Sequence, residues 1–242
     1  MSAPRVQSTW HETLLAHCTL YRRMGAPLRE RTLLLAQEFV RRKRFVGCNG
    51  LQVDERMRRV VAFQACTLVA RRGLQCYADL YGVLLYPDEF LISGSVEDDI
   101  GVVTEYTEAA SGQAVDTTRV LLSWPDVQQA GHTGDGYNVV IHEFAHHLDH
   151  SLDGVLSAPL EGSTWHAVLA REYAALCAAA DAGEETLIDP YGSEDPAEFF
   201  AVASETFIEL PRELRERHPP LYAALAQLYA LDPAGWDADA PR

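Results

Sequence analysis

Cysteine is sparse in this sequence and poorly placed for cross-linking. Its five copies, Cys18, Cys48, Cys66, Cys76 and Cys177, are scattered, odd in number and form no C-x-x-C pair. That excludes a disulfide framework and a cysteine-rich zinc site, and it points to the reducing cytoplasm. Five small buried hydrophobes is the simplest expectation for them. No apolar run is long enough to cross a bilayer. The opening "MSAPRVQSTWHETLL" lacks the uninterrupted apolar core of a signal peptide. Neither membrane insertion nor export is therefore expected. Internal repeats and low-complexity segments are absent as well. Lysine is nearly missing: Lys43 is the single one among twenty basic residues, and no function follows from that.

Apolar and acidic residues dominate. Of 242 residues 48% are hydrophobic, enough to bury a sizeable core in one large domain or two small ones. The net charge of −15 is unevenly spread. Residues 1–75 carry 14 Lys+Arg against 5 Asp+Glu, and the remainder carries 6 against 30. The acidic part argues against nucleic acid as a direct partner. The basic run "RRKR" (41–44) reads either as a docking patch or, more simply, as the solvated end of a helix, where cations suit the C-terminal dipole.

Residues 8–72 read mostly as helix. "RERTLLLAQEFVRRKRF" (29–45) has apolar residues at helical spacings, "GCNGLQV" (47–53) breaks it and offers a short strand, and "DERMRRVVAFQACTLVARRG" (54–73) runs from an Asp54 N-cap to a Gly73 stop. From 80 to 124 the texture is β-rich: "GVLLYP", "FLIS", "GVVTEYT" and "TTRVLLSW". Helices return over about 135–151, 163–182, 194–209 and 217–231. This order predicts an α+β fold, mainly helical, with a small mixed β-sheet. The expected division is an N-terminal helical region (1–75) packed on a catalytic region (76–232), followed by a loose tail (233–242), overall one structural unit.

The chemistry concentrates in "IHEFAHHLDH" (141–150). His142 and His146 lie four apart, so on a helix they project from one face, about 40° apart and one turn along. Two imidazoles so placed can bind one zinc ion. Glu143 beside the first completes H-E-x-x-H, the zinc-peptidase signature, and its carboxylate can meet a water rather than the metal. "NVVI" (138–141) is apolar, so this helix should be buried at the base of a cleft. The pair His146 and His150 has the same spacing but no carboxylate after its first member. His142 and His150 are about 12 Å apart along the axis, too far for one ion. His147 points away from His142 and is expected at the surface. His150 is expected as a solvated histidine near the helix end. Asp149, about 20° from His142 on the wheel, either orients a ligand histidine or is an exposed helix-end carboxylate.

Catalytic zinc takes a third protein ligand and keeps an open position. The extended H-E-x-x-H-x-x-G-x-x-H pattern fails, because Asp149 and Leu152 stand where glycine and histidine belong. The best source is "DPYGSEDPAEFFAVASETF" (189–207), whose helix is apolar almost all round yet carries Glu198 and Glu205 two turns apart on one stripe. A carboxylate on a buried helix needs a cation or hydrogen-bond donors. Asp195, Pro196 and Glu198 also fit an N-cap, first helical residue and capping box. On these grounds Glu198 and Glu205 are near-equal candidates, with Glu194 behind them.

"HEFAHHLD" with "DPYGSEDPAEFFAVASE", "KRFVGCNGLQV" and "LLSWPDV" resembles the Mlc titration factor A family of bacterial zinc peptidases, over about 8–232. The first two motifs are also similar to the catalytic domain of anthrax lethal factor. The resemblance implies a gluzincin-like domain with His142, His146 and Glu198 on one zinc ion per chain and Glu143 as base. It implies Tyr191 facing the metal, a residue whose simpler reading is a turn tyrosine in "DPYG". Glu205 then becomes a supporting residue near the ligands. The implied activity is peptide-bond hydrolysis, aminopeptidase-like, on a peptide or protein substrate. The implied partner is a glucose-responsive transcriptional repressor, Mlc, which the family titrates from DNA. A structural zinc domain is the third reading. "RVLLSW" (119–124) is a candidate strand lining the cleft, where it would pair an extended peptide.

Overall fold

The computed structural model describes residues 3–88, 90–97, 103–110, 112–116, 118–130, 135–150 and 164–238. Four helices open the chain: α1 (Ala3–His17), α2 (Thr19–Arg23), α3 (Ala26–Arg42) and, after strand β1 (Arg44–Gly47), α4 (Glu55–Leu68). Strands β2 (Gly82–Tyr86), β3 (Phe90–Glu97), β4 (Val103–Ala110), β5 (Gly112–Asp116) and β6 (Arg119–Ser123) follow. Helices α5 (Trp124–Gln129), α6 (Val139–His150), α7 (Thr164–Ala182), α8 (Pro196–Glu209), α9 (Pro211–Arg217) and α10 (Pro219–Tyr229) complete it. The α+β expectation is met.

The main sheet has the order β1-β2-β6-β5. β1, β2 and β6 run parallel, with Phe45 opposite Val83 and Val83 opposite Val120, and β5 pairs antiparallel to β6. The sheet is therefore small and mixed, as expected. β3 and β4 form a separate antiparallel pair. Inward residues of the parallel strands, Val83, Leu85, Val120 and Leu122, are fully buried. One hydrophobic cluster runs from Trp10 on α1 to Trp236 near the C-terminus. Burying apolar area at about 25 cal/mol per Å² makes such a cluster the main source of stability. All five cysteines are free. Among the described residues no helix is long and apolar enough to cross a membrane.

Several boundaries differ from the sequence expectation. The first strand is Arg44–Gly47, which shares only Gly47 with "GCNGLQV", and it takes the last residues of the expected helix. The cause is the turn after it: Asn49 and Gly50 have φ of 49° and 82°, and Leu51 N donates to Cys48 O at 2.9 Å. A left-handed pair cannot continue a strand. α3 ends at Arg42, and Arg41 and Arg42 are solvated at its last turn. Lys43 is not part of that solvated end. Its Nζ donates to the carbonyls of Tyr77 and Leu80 at 2.5 and 2.6 Å. The expected helix over 217–231 begins only at Pro219, after a break at His218 that separates it from α9. The tail is not loose over 233–238: a 3-10 turn there buries Ala234 and Trp236. Trp236 supplies the apolar area that holds it.

Candidate metal centre

α6 begins where its sequence provides a cap. Asn138 is fully buried, and its Oδ1 accepts from Ile141 N at 3.1 Å. Asparagine is among the best N-caps because its side-chain oxygen serves an amide with no partner inside the helix. The helix packs against α4, α5, α8, β5 and β6. Being surrounded, it buries Val140, Ile141, Phe144 and Ala145. The expectation of a buried H-E-x-x-H helix holds. α8 starts on Asp195, whose carboxylate accepts from Ala197 N at 2.7 Å and Glu198 N at 2.9 Å. Pro196 fits the first helical position, where no amide hydrogen is needed. The cap leaves the Glu198 side chain to face α6.

Nε2 of His142, Nε2 of His146 and the carboxylate of Glu198 all lie within 4.8 Å of one another. His142 Nε2 is 3.1 Å from Glu198 Oε2 and 3.1 Å from His146 Nε2, and His146 Nε2 is 3.3 Å from Glu198 Oε1. Nδ1 of His142 is 2.7 Å from Glu205 Oε1. A carboxylate only accepts, so Nδ1 carries the proton of that bond. Glu198 Oε2 is buried and, although close to His142 Nε2, lies off the line that a hydrogen bond needs. Acceptor atoms so crowded require a positive charge between them, a proton or a metal cation. Two imidazole nitrogens and one carboxylate oxygen are a donor set that fits a divalent metal.

The electrostatics of the site agree. Burial alone disfavours the charged form of His142, but Glu198 and Glu205 outweigh it and lift its pKa well above the usual range. Burial likewise works against the Glu198 anion, yet the adjacent His142 and His146 hold its pKa at about 2. Glu205, more deeply enclosed, is pushed upward by burial despite His142 and the amide of Asn138.

The structure brings the other expected residues to the same place. Glu143 is buried, at 4% exposure, and its charge reaches both His142 and Tyr191. Tyr191 stands on a 3-10 turn, Pro190–Ser193, capped by Asp189, which accepts from Tyr191 N at 2.9 Å. Its ring is 6.1 Å from that of His142, and it is 47% exposed at the mouth of the site. Burial and then the charge of Glu198 push its pKa upward, which keeps the phenol protonated. Glu205 lies on the far side of the His142 ring, against Nδ1.

Four expectations change. His147 is not at the surface: it is fully buried, 5.6 Å from the Tyr77 ring, because α6 is enclosed on that side too. Asp149 is 5% exposed, so the exposed helix-end reading is excluded. β6 does not offer an edge to a peptide, since β2 and β5 occupy its two sides. The outer strand on that side is β5, and it lies against α6. Glu194 is exposed and stands outside the cluster of candidate ligands. His150 is exposed, as expected, and Leu152 lies outside the described residues.

Asn138, Glu209 and Arg23 were not singled out in the sequence. Asn138 Nδ2 donates to Gln64 Oε1 at 2.8 Å and to Glu209 Oε1 at 2.6 Å, while its backbone N donates to Glu205 Oε2 at 2.5 Å. Arg23 Nη1 lies 3.2 Å from Glu209 Oε2. An asparagine just before an apolar helical run is an N-cap signal, and it marks Asn138.

An α+β core thus sets a histidine pair on one buried helix against a glutamate of a second, a group that could hold a metal ion. The chain belongs to the glucose-regulated metallo-peptidase M90 family, whose model matches residues 1–230. It is 33% identical over 239 residues to Mlc titration factor A of Pectobacterium atrosepticum, covering 96% of this chain and 90% of that one. It is 34% identical over 217 residues to Mlc titration factor A of Edwardsiella ictaluri, covering 87% and 83%. An uncharacterized protein of Synechocystis is 33% identical over 231 residues, covering 93% and 84%. The resemblance seen in the motifs thus extends over the chain.

Proposed function

We propose that the chain is a zinc-dependent peptidase, with His142, His146 and Glu198 as the metal ligands. The observation that carries this reading is the convergence of their three ligand atoms within 4.8 Å beside the buried Glu143. Zinc held there would polarise a scissile carbonyl and lower the pKa of a water. Glu143 takes the proton of the attacking water and passes it to the leaving amine. Tyr191, kept protonated by burial and then by its anionic surroundings, donates a hydrogen bond to the developing oxyanion. Glu205 fixes the tautomer and orientation of His142.

The proposed specificity is aminopeptidase-like. Negative charge from Glu198, Glu194, Glu143 and Asp195 all reaches Tyr191. A substrate's free α-ammonium is complementary to that field. A set of peptides with free and acetylated N-termini tests it: the free forms should be cleaved faster, and equal rates would remove the amino-terminal preference.

The relatives' name favours a second, compatible reading: binding of an Mlc-like transcriptional repressor. Glu143→Gln separates the two. That variant should keep metal and repressor binding and lose hydrolysis. An unchanged peptidase rate would remove Glu143 from its role.

A further inference from the structure

The ligand His142 is the end of a buried chain of polar groups that starts in the N-terminal helices. Arg23 on α2 meets Glu209, Glu209 meets Asn138, Asn138 meets Glu205, and Glu205 meets His142. Glu205 and Glu209 sit one turn apart on α8, both buried, at 4% and 8% exposure. Two enclosed carboxylates on one face repel each other and each costs desolvation. Asn138 stands between them and serves both, one through its backbone amide and the other through its side chain. The same residue caps α6, four positions before His142. Its Nδ2 is also tied to Gln64 on α4. Every polar atom of Asn138 described here thus has a bond, to α4, α6 or α8. None of Arg23, Glu209 or Asn138 is among the three candidate ligands.

We infer that Asn138, Glu209 and Arg23 are positioning residues for the metal centre, which set the aim of the His142 imidazole through Glu205 and tie metal affinity to the seating of α2. The inference rests on the metal reading proposed above. Without the side chain of Asn138, Glu209 keeps only Arg23 as a donor and the first turn of α6 loses its cap. Glu205 then shares its enclosure with a carboxylate held by Arg23 alone, and the partner of His142 is held less firmly. Partners that orient ligand histidines typically govern metal affinity by about ten- to a hundredfold. The chain reaches His142 through one intermediate, so a loss near the lower end is expected.

The test is zinc affinity by chelator competition, with the visible spectrum of the cobalt-substituted full chain and the melting temperature of the metal-free chain. Asn138→Ala and Glu209→Ala should weaken zinc binding about tenfold and shift the cobalt bands. Glu209→Gln keeps an acceptor for Asn138 and should stay within about threefold of wild type. Arg23→Met, at a partly exposed position, should weaken binding by roughly threefold, and it keeps the test open where an alanine variant fails to fold. Lower melting temperatures with unchanged zinc affinity and cobalt spectra would show a purely structural network and overturn the inference. A wild-type chain that binds no metal would overturn both this inference and the peptidase reading. Normal binding by wild type and variants alike would overturn the inference alone.

Discussion

Glu205 Oε1 lies 2.7 Å from Nδ1 of His142, which leaves Nε2 turned toward His146 and Glu198. One carboxylate behind the ring and another in front of it give Glu205 and Glu198 different tasks, although they share a stripe of one helix. Burial follows the difference: the Glu198 side chain is 19% exposed and that of Glu205 5%.

The two glutamates should therefore respond differently to substitution. Glu198→Gln removes a proposed ligand and should abolish stoichiometric metal binding. Glu205→Ala should weaken affinity by about ten- to a hundredfold while leaving the stoichiometry at saturation unchanged. Metal titration of both variants checks this, and the reverse pattern would exchange their roles.

Glu143→Gln replaces a base by a group of the same shape that takes no proton. Hydrolysis of a reporter peptide should fall by about 10²- to 10⁴-fold with metal content unchanged. Steady-state kinetics and metal analysis on the same preparation read the two quantities.

Lys43, the single lysine, donates to two main-chain carbonyls at the turn before β2. Charge-assisted bonds to otherwise enclosed carbonyls make Lys43→Met destabilising by about 2 kcal/mol in urea unfolding. Arginine should rescue poorly, because a planar fork does not replace a compact ammonium between two carbonyls.

Tyr222 donates to Asp232 Oδ1 and accepts from Ala234 N at 3.1 Å, so it anchors the C-terminal turn. Burial, then the Asp232 carboxylate, raises its pKa from 10.0 to about 12. The neutral phenol is favoured in the folded state. This contribution to stability is complete below pH 10 and is lost as pH rises through the folded value near 12. Tyr222→Phe should remove that alkaline loss, as read by unfolding at a series of pH values.

Much of this was legible from local pattern. The spacing of His142, Glu143 and His146 is fixed by helix geometry alone, and an apolar flank is enough to place the helix inside. Glu198 was harder. Its distance in sequence carries no period, and the capping residue Asp195 offers a sufficient local reason for a glutamate there. Local pattern leaves Glu198 and Glu205 near equal; the family resemblance favours Glu198, and the meeting of α6 with α8 puts it beside the two histidines. A helical wheel puts His147 at the surface because it assumes one solvent face, whereas Tyr77 closes that side of α6. In the sequence Asn138 opens an apolar run, whereas its bonds reach Gln64, Glu205 and Glu209, none of them near in sequence. The displaced first strand came from the Asn49–Gly50 turn, which ends pairing where β propensity alone would continue it.

The central claim is that His142, His146 and Glu198 together hold one zinc ion. Dialysis against zinc followed by elemental analysis tests it most directly. Wild type and Glu143→Gln should each carry one zinc per chain, and the double variant His146→Ala with Glu198→Gln should carry none. A wild-type chain without zinc, or a double variant that keeps its full complement, would contradict the assignment.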